Sequence, residues 1–142
     1  MKIFMSDKQI FVDTNILVYA YDRDAEGKHA VANELVARLW SQPLVPAISV
    51  QVLQEFYVNL TKKGIPLKEA RDTVEYYFSW EVIQNTSSLL LATFSKQKRF
   101  KLSFWDSSGL AAARKADAKE LWTEDFNIEQ DYGGIVTVNP LV

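Results

Sequence analysis

Short apolar runs alternating with longer helical patterns constrain this sequence more than any other feature. Strand-like runs fall at residues 10–12, 44–48, 81–83, 120–122 and 135–138. Most are continuously apolar rather than alternating, as strands covered on both faces are. Helical periodicity fills most of the intervals: 16–21 and 25–40 before the second run, 50–63 and 67–78 before the third, 87–98 and 104–115 before the fourth. Gly64 closes the third helical segment and Pro66 opens the fourth, while the sixth carries small residues from Gly109 to Ala113 that let a helix sit close to a sheet. The last connection, 127–134, shows no helical pattern. Such alternation predicts an α/β fold, a three-layer α/β/α sandwich around a mainly parallel sheet of about five strands with right-handed crossovers. No repeat, low-complexity tract or Pro/Gly-rich linker interrupts the 142 residues, so one domain is expected over 1–142.

Composition narrows the chemistry. The chain has no cysteine and one histidine, which removes disulfide frameworks, thiol catalysis and the usual zinc ligand sets. Neither a signal-peptide pattern nor an apolar stretch of membrane-spanning length is present, and the expectation is a soluble protein compatible with a reducing cytosol. A net charge of −2 argues against broad adhesion to nucleic acid. A substrate of that kind would need a local basic patch.

The acids are the informative side chains. In a parallel α/β fold the ligand site lies at the carboxyl edge of the sheet, where strands end and the following helices begin. Asp13 directly follows the first strand-like run, in "QIFVDTNILVYAYD"; Glu55 lies in the second turn of the helix after the second run; Asp106 lies in the first turn of the helix before the fourth run; Asp125 follows that run. All four are expected on one rim, although they are too far apart in sequence for any local motif. Clustered carboxylates repel and are stabilised by a cation, and oxygen-only donors select hard ions such as Mg²⁺ or Mn²⁺. Thr14 and Asn15 can support such a site as hydrogen-bonding neighbours. Taken singly, each acid also has an ordinary explanation. Asp13 or Asn15 can cap the first helix, Ser103 and Asp106 fit a capping box, Glu55 can be a solvated helix residue, and Asp125 a turn residue beside the competing Glu124.

Four stretches together resemble the PIN-domain nucleases, and look most like the VapC toxins of toxin–antitoxin pairs: "FVDTNILVYA", "LQEFYVNL", "FWDSSGLAAA" and "LWTEDF" followed by "VNP". The resemblance implies Asp13, Glu55, Asp106 and Asp125 as Mg²⁺- or Mn²⁺-binding acids, with Asn15 and Thr123 as supporting polar groups and Asp125 preferred over Glu124 as the fourth acid. It implies RNA as substrate, hydrolysis of phosphodiester bonds, a cognate antitoxin, a homodimer and a cytoplasmic location. Ser107, after the third acid, departs mildly from the small residue usual there. Residues 1–6 are slightly long for the family, so Met5 is an alternative start.

Cations and aromatics offer candidate surfaces. The run "KQKRFK" supplies Lys98, Arg99 and Lys101 as candidate RNA contacts, against the ordinary role of basic residues at a helix end. Phe104 and Trp105 can stack on unpaired bases or fill the core. "VEYYFSW" can cover the sheet or mark an interface. His29 reads as an exposed helix residue without a role. The competing functions are a catalytically inactive PIN-like binding module and a Mg²⁺-dependent phosphatase, the latter disfavoured because Asn15 stands where its second aspartate would be. A receiver-like signalling domain would need an aspartate after the third strand, where "VIQNTSS" has none.

Overall fold

The computed structural model describes residues 8–126 and 130–142. Its centre is a sheet of five three-residue strands, β1 (Ile10–Val12), β2 (Ala47–Ser49), β3 (Glu81–Ile83), β4 (Glu120–Trp122) and β5 (Val136–Val138), in the order β3-β2-β1-β4-β5. Every ladder is parallel. The described residues form six α-helices: α1 (Thr14–Tyr21), α2 (Gly27–Ser41), α3 (Val50–Lys62), α4 (Leu67–Tyr76), α5 (Ser87–Phe100) and α6 (Phe104–Lys115).

The order of the strands places the helices. From β1 to β2 to β3 the chain steps in one direction, and right-handed crossovers carry α1 to α4 over one face; the return from β3 to β4 reverses direction and puts α5 and α6 on the other. The packing agrees, because α1 packs on α2 and α3, and α3 on α4, whereas α5 packs on α6 and α6 on β2 and β4. This is the expected three-layer sandwich. Phe11, Ile48 and Leu121 from the sheet meet Leu17, Phe56 and Leu110 from the helices as fully buried side chains. The small residues of α6 have the expected effect, since Ala111, Ala112 and Ala113 are buried.

Element boundaries differ from the sequence expectation where backbone chemistry intervenes. β2 begins at Ala47, not at 44, because Pro46 has no N–H to give to a ladder, and Leu44 and Val45 are each 37% exposed. α1 begins at Thr14 because Asp13 already serves as its N-cap. α4 ends at Tyr76 and tightens into a 3₁₀ turn, Tyr77–Ser79. That turn divides the aromatic run. Tyr77 and Trp80 point inward, with ring centroids 4.9 Å apart and Trp40 5.3 Å from Tyr77, whereas Tyr76 and Phe78 are exposed. His29 is half-buried rather than exposed, its Nδ1 2.9 Å from the Tyr19 carbonyl oxygen.

Residues 127–129 of the final connection, and both candidate starts Met1 and Met5, lie outside the described residues. From 130 to 134 the connection is non-helical and turns through Gly133 and Gly134, both in left-handed backbone that favours glycine. No helix among the described residues is long and apolar enough to cross a membrane.

Candidate active site

The strand order reverses between β1 and β4, and the crevice outside their carboxyl ends is where an open parallel sheet offers room to a ligand. Asp13 leaves β1 there and Thr123 leaves β4. The register pairs Val12 with Trp122, and Asp13 continues it by donating its N–H to the Trp122 carbonyl at 3.0 Å, which sets Asp13 beside Thr123. Two capped helices converge on the same edge. Ser49 at the end of β2 caps α3 by accepting the Val52 N–H, and Ser103 caps α6 by accepting the Asp106 N–H at 3.1 Å. Those caps aim the second turn of α3, with Glu55, and the first turn of α6, with Asp106, at the crevice. As a result Asp13, Glu55, Asp106 and Asp125 all line one cavity of about 330 Å³, together with Thr14 and Asn15.

Hydrogen bonds hold three of the four carboxylates. Asp13 Oδ1 accepts from the Thr14 N–H at 2.8 Å and Oδ2 from the fully buried Thr123 hydroxyl at 2.9 Å. Thr14 donates its own hydroxyl to Glu55 Oε1 at 2.6 Å, and Gln51 Nε2 donates to Glu55 Oε2 at 3.3 Å. Asn15 Nδ2 donates to Asp125 Oδ2 at 3.3 Å. Thr123 also accepts the Asp125 N–H at 3.0 Å, so one hydroxyl ties two acids together. At Asp106, the cap involves its backbone N–H alone among the bonds described, and its carboxylate faces the cavity.

The charges feel one another. Burial pushes the Asp13 carboxyl up from 3.8 to about 6, against the lowering effect of its bonds from Thr14 and Thr123, and the nearby Asp125 and Glu55 charges push it further up. Asp125 is also raised, first by burial and then by Asp106 and Glu124. Its neighbour Glu124 behaves in the opposite way. Although burial works against its charged form, hydrogen bonds from Tyr19 and Lys28 hold it below the usual carboxylate range. Tyr19 donates its hydroxyl to Glu124 Oε1, and Lys28 Nζ lies 3.0 Å from Oε2. Glu124 is thus engaged at both oxygens, whereas Asp125 faces the cavity.

The sequence matches the PIN domain model over residues 10–131. The chain belongs to the PIN domain family. Solved structures share its fold. Mycobacterium tuberculosis VapC20, a sarcin–ricin loop cleaving toxin, superposes with a TM-score of 0.66 at 23% identity over 84% of this chain and 92% of its own. A toxin–antitoxin complex from Klebsiella pneumoniae gives 0.69 at 22% identity over 91% and 97%. VapBC2 from Rickettsia felis, bound to a DNA fragment from its promoter, gives 0.62 at 17% over 90% and 96%. Among curated proteins none matches the sequence.

The donors of this PIN domain are oxygens: four carboxylates and Asn15 Oδ1, which is buried without a hydrogen-bond partner. A buried, unpartnered amide oxygen beside Asp13 and Asp125, both with raised pKa, suits a hard divalent cation. The acids surround the cavity without converging. Among the described residues, no group of three or more His, Asp or Glu side chains is arranged to hold an ion.

Lys98, Arg99 and Lys101 lie outside the cavity lining. The Arg99 guanidinium lies over the Phe100 ring at 4.7 Å, and Lys101 ends α5 in left-handed backbone. Sequence reasoning missed Gln51, Ser108 and Tyr19. Gln51 holds Glu55 and accepts the Ser108 hydroxyl at 2.6 Å. Its position one helical turn before Glu55 was a readable signal; the link from Ser108 to Gln51 and that from Tyr19 to Glu124 exist only in the fold.

Proposed function

We propose that this PIN domain is a metal-dependent endoribonuclease, the toxin component of a VapBC-type toxin–antitoxin pair, with Asp13, Glu55, Asp106 and Asp125 as its catalytic acids. The observation that carries the reading is a half-buried aspartate at the sheet's switch point, its pKa raised to about 6, sharing one cavity with three further acids. Mg²⁺ or Mn²⁺ bound by these acids would supply Lewis-acid activation of water and charge neutralisation at a phosphodiester. The chain's own residues supply the rest. Thr123 fixes the Asp13 carboxylate, Thr14 and Gln51 fix Glu55, and Asn15 steers Asp125 while keeping its Oδ1 unengaged. Such supporting donors typically matter ten- to a hundredfold in metal affinity or activity. Without a cation the cluster repels the phosphate to be cut, so cleavage depends on the ion.

Likeness to the VapC20, Klebsiella and Rickettsia proteins supports a protein antitoxin as partner and RNA as substrate. Exposed Tyr76 and Phe78 suit a homodimer contact. Lys98, Arg99 and Lys101, outside the acid cavity, would meet RNA phosphates beyond the one being cut.

The test is incubation of the purified protein with a mixed RNA panel in Mg²⁺ or Mn²⁺ and in chelator. Cleavage is expected only with metal, and Asp13→Asn is expected to lower it by at least about a hundredfold. Undiminished cleavage by Asp13→Asn would overturn the assignment. Release of inorganic phosphate without chain shortening would point to a phosphatase instead.

A further inference from the structure

Beside the acid cavity lies a second hollow of about 640 Å³, and Gln51, Glu55 and Trp105 line both. The two spaces are therefore neighbours across one shared wall. Trp105 stands 61% exposed, although it sits one residue before Asp106 in a helix whose next two residues, Ser107 and Ser108, are buried. Among the described residues its ring contact is with Phe104, perpendicular at 4.8 Å, and most of the indole surface is open to solvent. The chain's other tryptophans are better covered, at 39% for Trp40 and 3% for Trp80 and Trp122. Leu89, Leu90 and Phe104 make the hollow apolar, while the exposed amides of Gln54 and Asn85 also line it.

We infer that this hollow is a base-binding subsite, in which an unpaired nucleobase flanking the scissile phosphodiester stacks on Trp105 with its edge toward Gln54 and Asn85. An uncovered aromatic face beside amides is the chemistry that recognises a splayed base: stacking supplies affinity and the amide donors and acceptors read the edge. The shared wall argues for RNA over an apolar protein segment, because a strand whose phosphate lies among the acids has its adjoining base within reach of Trp105. A base held in a duplex stack is not free to enter, so the subsite selects single-stranded RNA.

The inference rests on the ribonuclease reading, and binding and cleavage are measured separately. In the Asp13→Asn protein, single-stranded oligo(A) and oligo(U) are titrated against tryptophan emission, with duplex RNA of the same composition as control. Quenching by the single strands is expected, and its loss in Asp13→Asn/Trp105→Phe assigns it to Trp105. In the otherwise unaltered chain, Trp105→Ala is expected to raise KM for RNA cleavage by roughly ten- to a hundredfold with a smaller change in kcat, and Trp105→Tyr to restore most of the loss. Cleavage that proceeds with unchanged KM in Trp105→Ala overturns the subsite and leaves the ribonuclease intact. Cleavage without any quenching by RNA also overturns it and leaves the hollow to a protein partner. A protein that neither cuts nor binds RNA overturns both readings.

Discussion

Asp13 is a helix cap and a half-buried charge at once, and the two roles have opposite energetic signs. Its bond from the Thr14 N–H satisfies one backbone donor of α1, while burial makes its ionised form unfavourable. Because the folded pKa lies above the unfolded one, the group contributes stability that is fully present below about pH 3.8 and is lost as pH rises through about 6. The difference corresponds to on the order of 3 kcal/mol. We expect Asp13→Asn, which keeps the shape and removes the charge, to be more stable than the parent by about 1–3 kcal/mol at pH 7.5 in chelator, with the gap closing near pH 4. Thermal or urea unfolding at the two pH values checks this. A variant no more stable than the parent at pH 7.5 would show that the carboxylate is better solvated than its surroundings indicate.

Among the elements, α6 matters most, since its first turn carries both Trp105 and Asp106. Ser103 holds that turn through a single cap bond to the Asp106 N–H. The capping-box expectation is half met: the serine bond forms, whereas the Asp106 side chain lines the cavity, and no return bond to Ser103 is among those described. Ser103→Ala is expected to cost about 1 kcal/mol, a fall in Tm of about 3–5 °C, with loss of activity well beyond that expected from so small a change in folded fraction. Calorimetry and an RNA cleavage assay on the same preparation separate the two effects. Unchanged activity with the lowered Tm would mean that tertiary contacts alone hold the turn. Sequence reading found α6 and its cap because both are local signals; the exposure of Trp105 was not local, since it depends on what α3 and α5 leave uncovered.

For the whole molecule, folding gathers negative charge at one edge of the sheet, which costs stability until something positive binds there. Mg²⁺ or Mn²⁺ that binds only the folded chain must therefore raise its melting temperature with concentration. Differential scanning calorimetry is expected to show Tm rising with millimolar Mn²⁺ in the parent and not in Asp13→Asn; equal shifts in both proteins would place the ion elsewhere. The same topology determined how much of the site could be read in advance. The four acids were legible because each sits next to a strand end or helix start that the apolar pattern marks, and the family motifs reinforce that placement. Their connections were not. Thr123 to Asp13, Asn15 to Asp125, and Lys28 and Tyr19 to Glu124 all join the beginning of the chain to its far end, and no periodicity encodes such pairs.

By itself the sequence determined the alternation of elements, the parallel sheet and the caps, because strand burial, helical periodicity and capping are fixed by residues within one or two turns of each other. Only the tertiary structure decided that β4 lies beside β1, that Asp125 rather than Glu124 faces the cavity, and that Trp105 stands open at its edge. Those outcomes depend on strand order and on which surfaces other helices cover, and contacts between distant segments exist only once the chain has closed on itself.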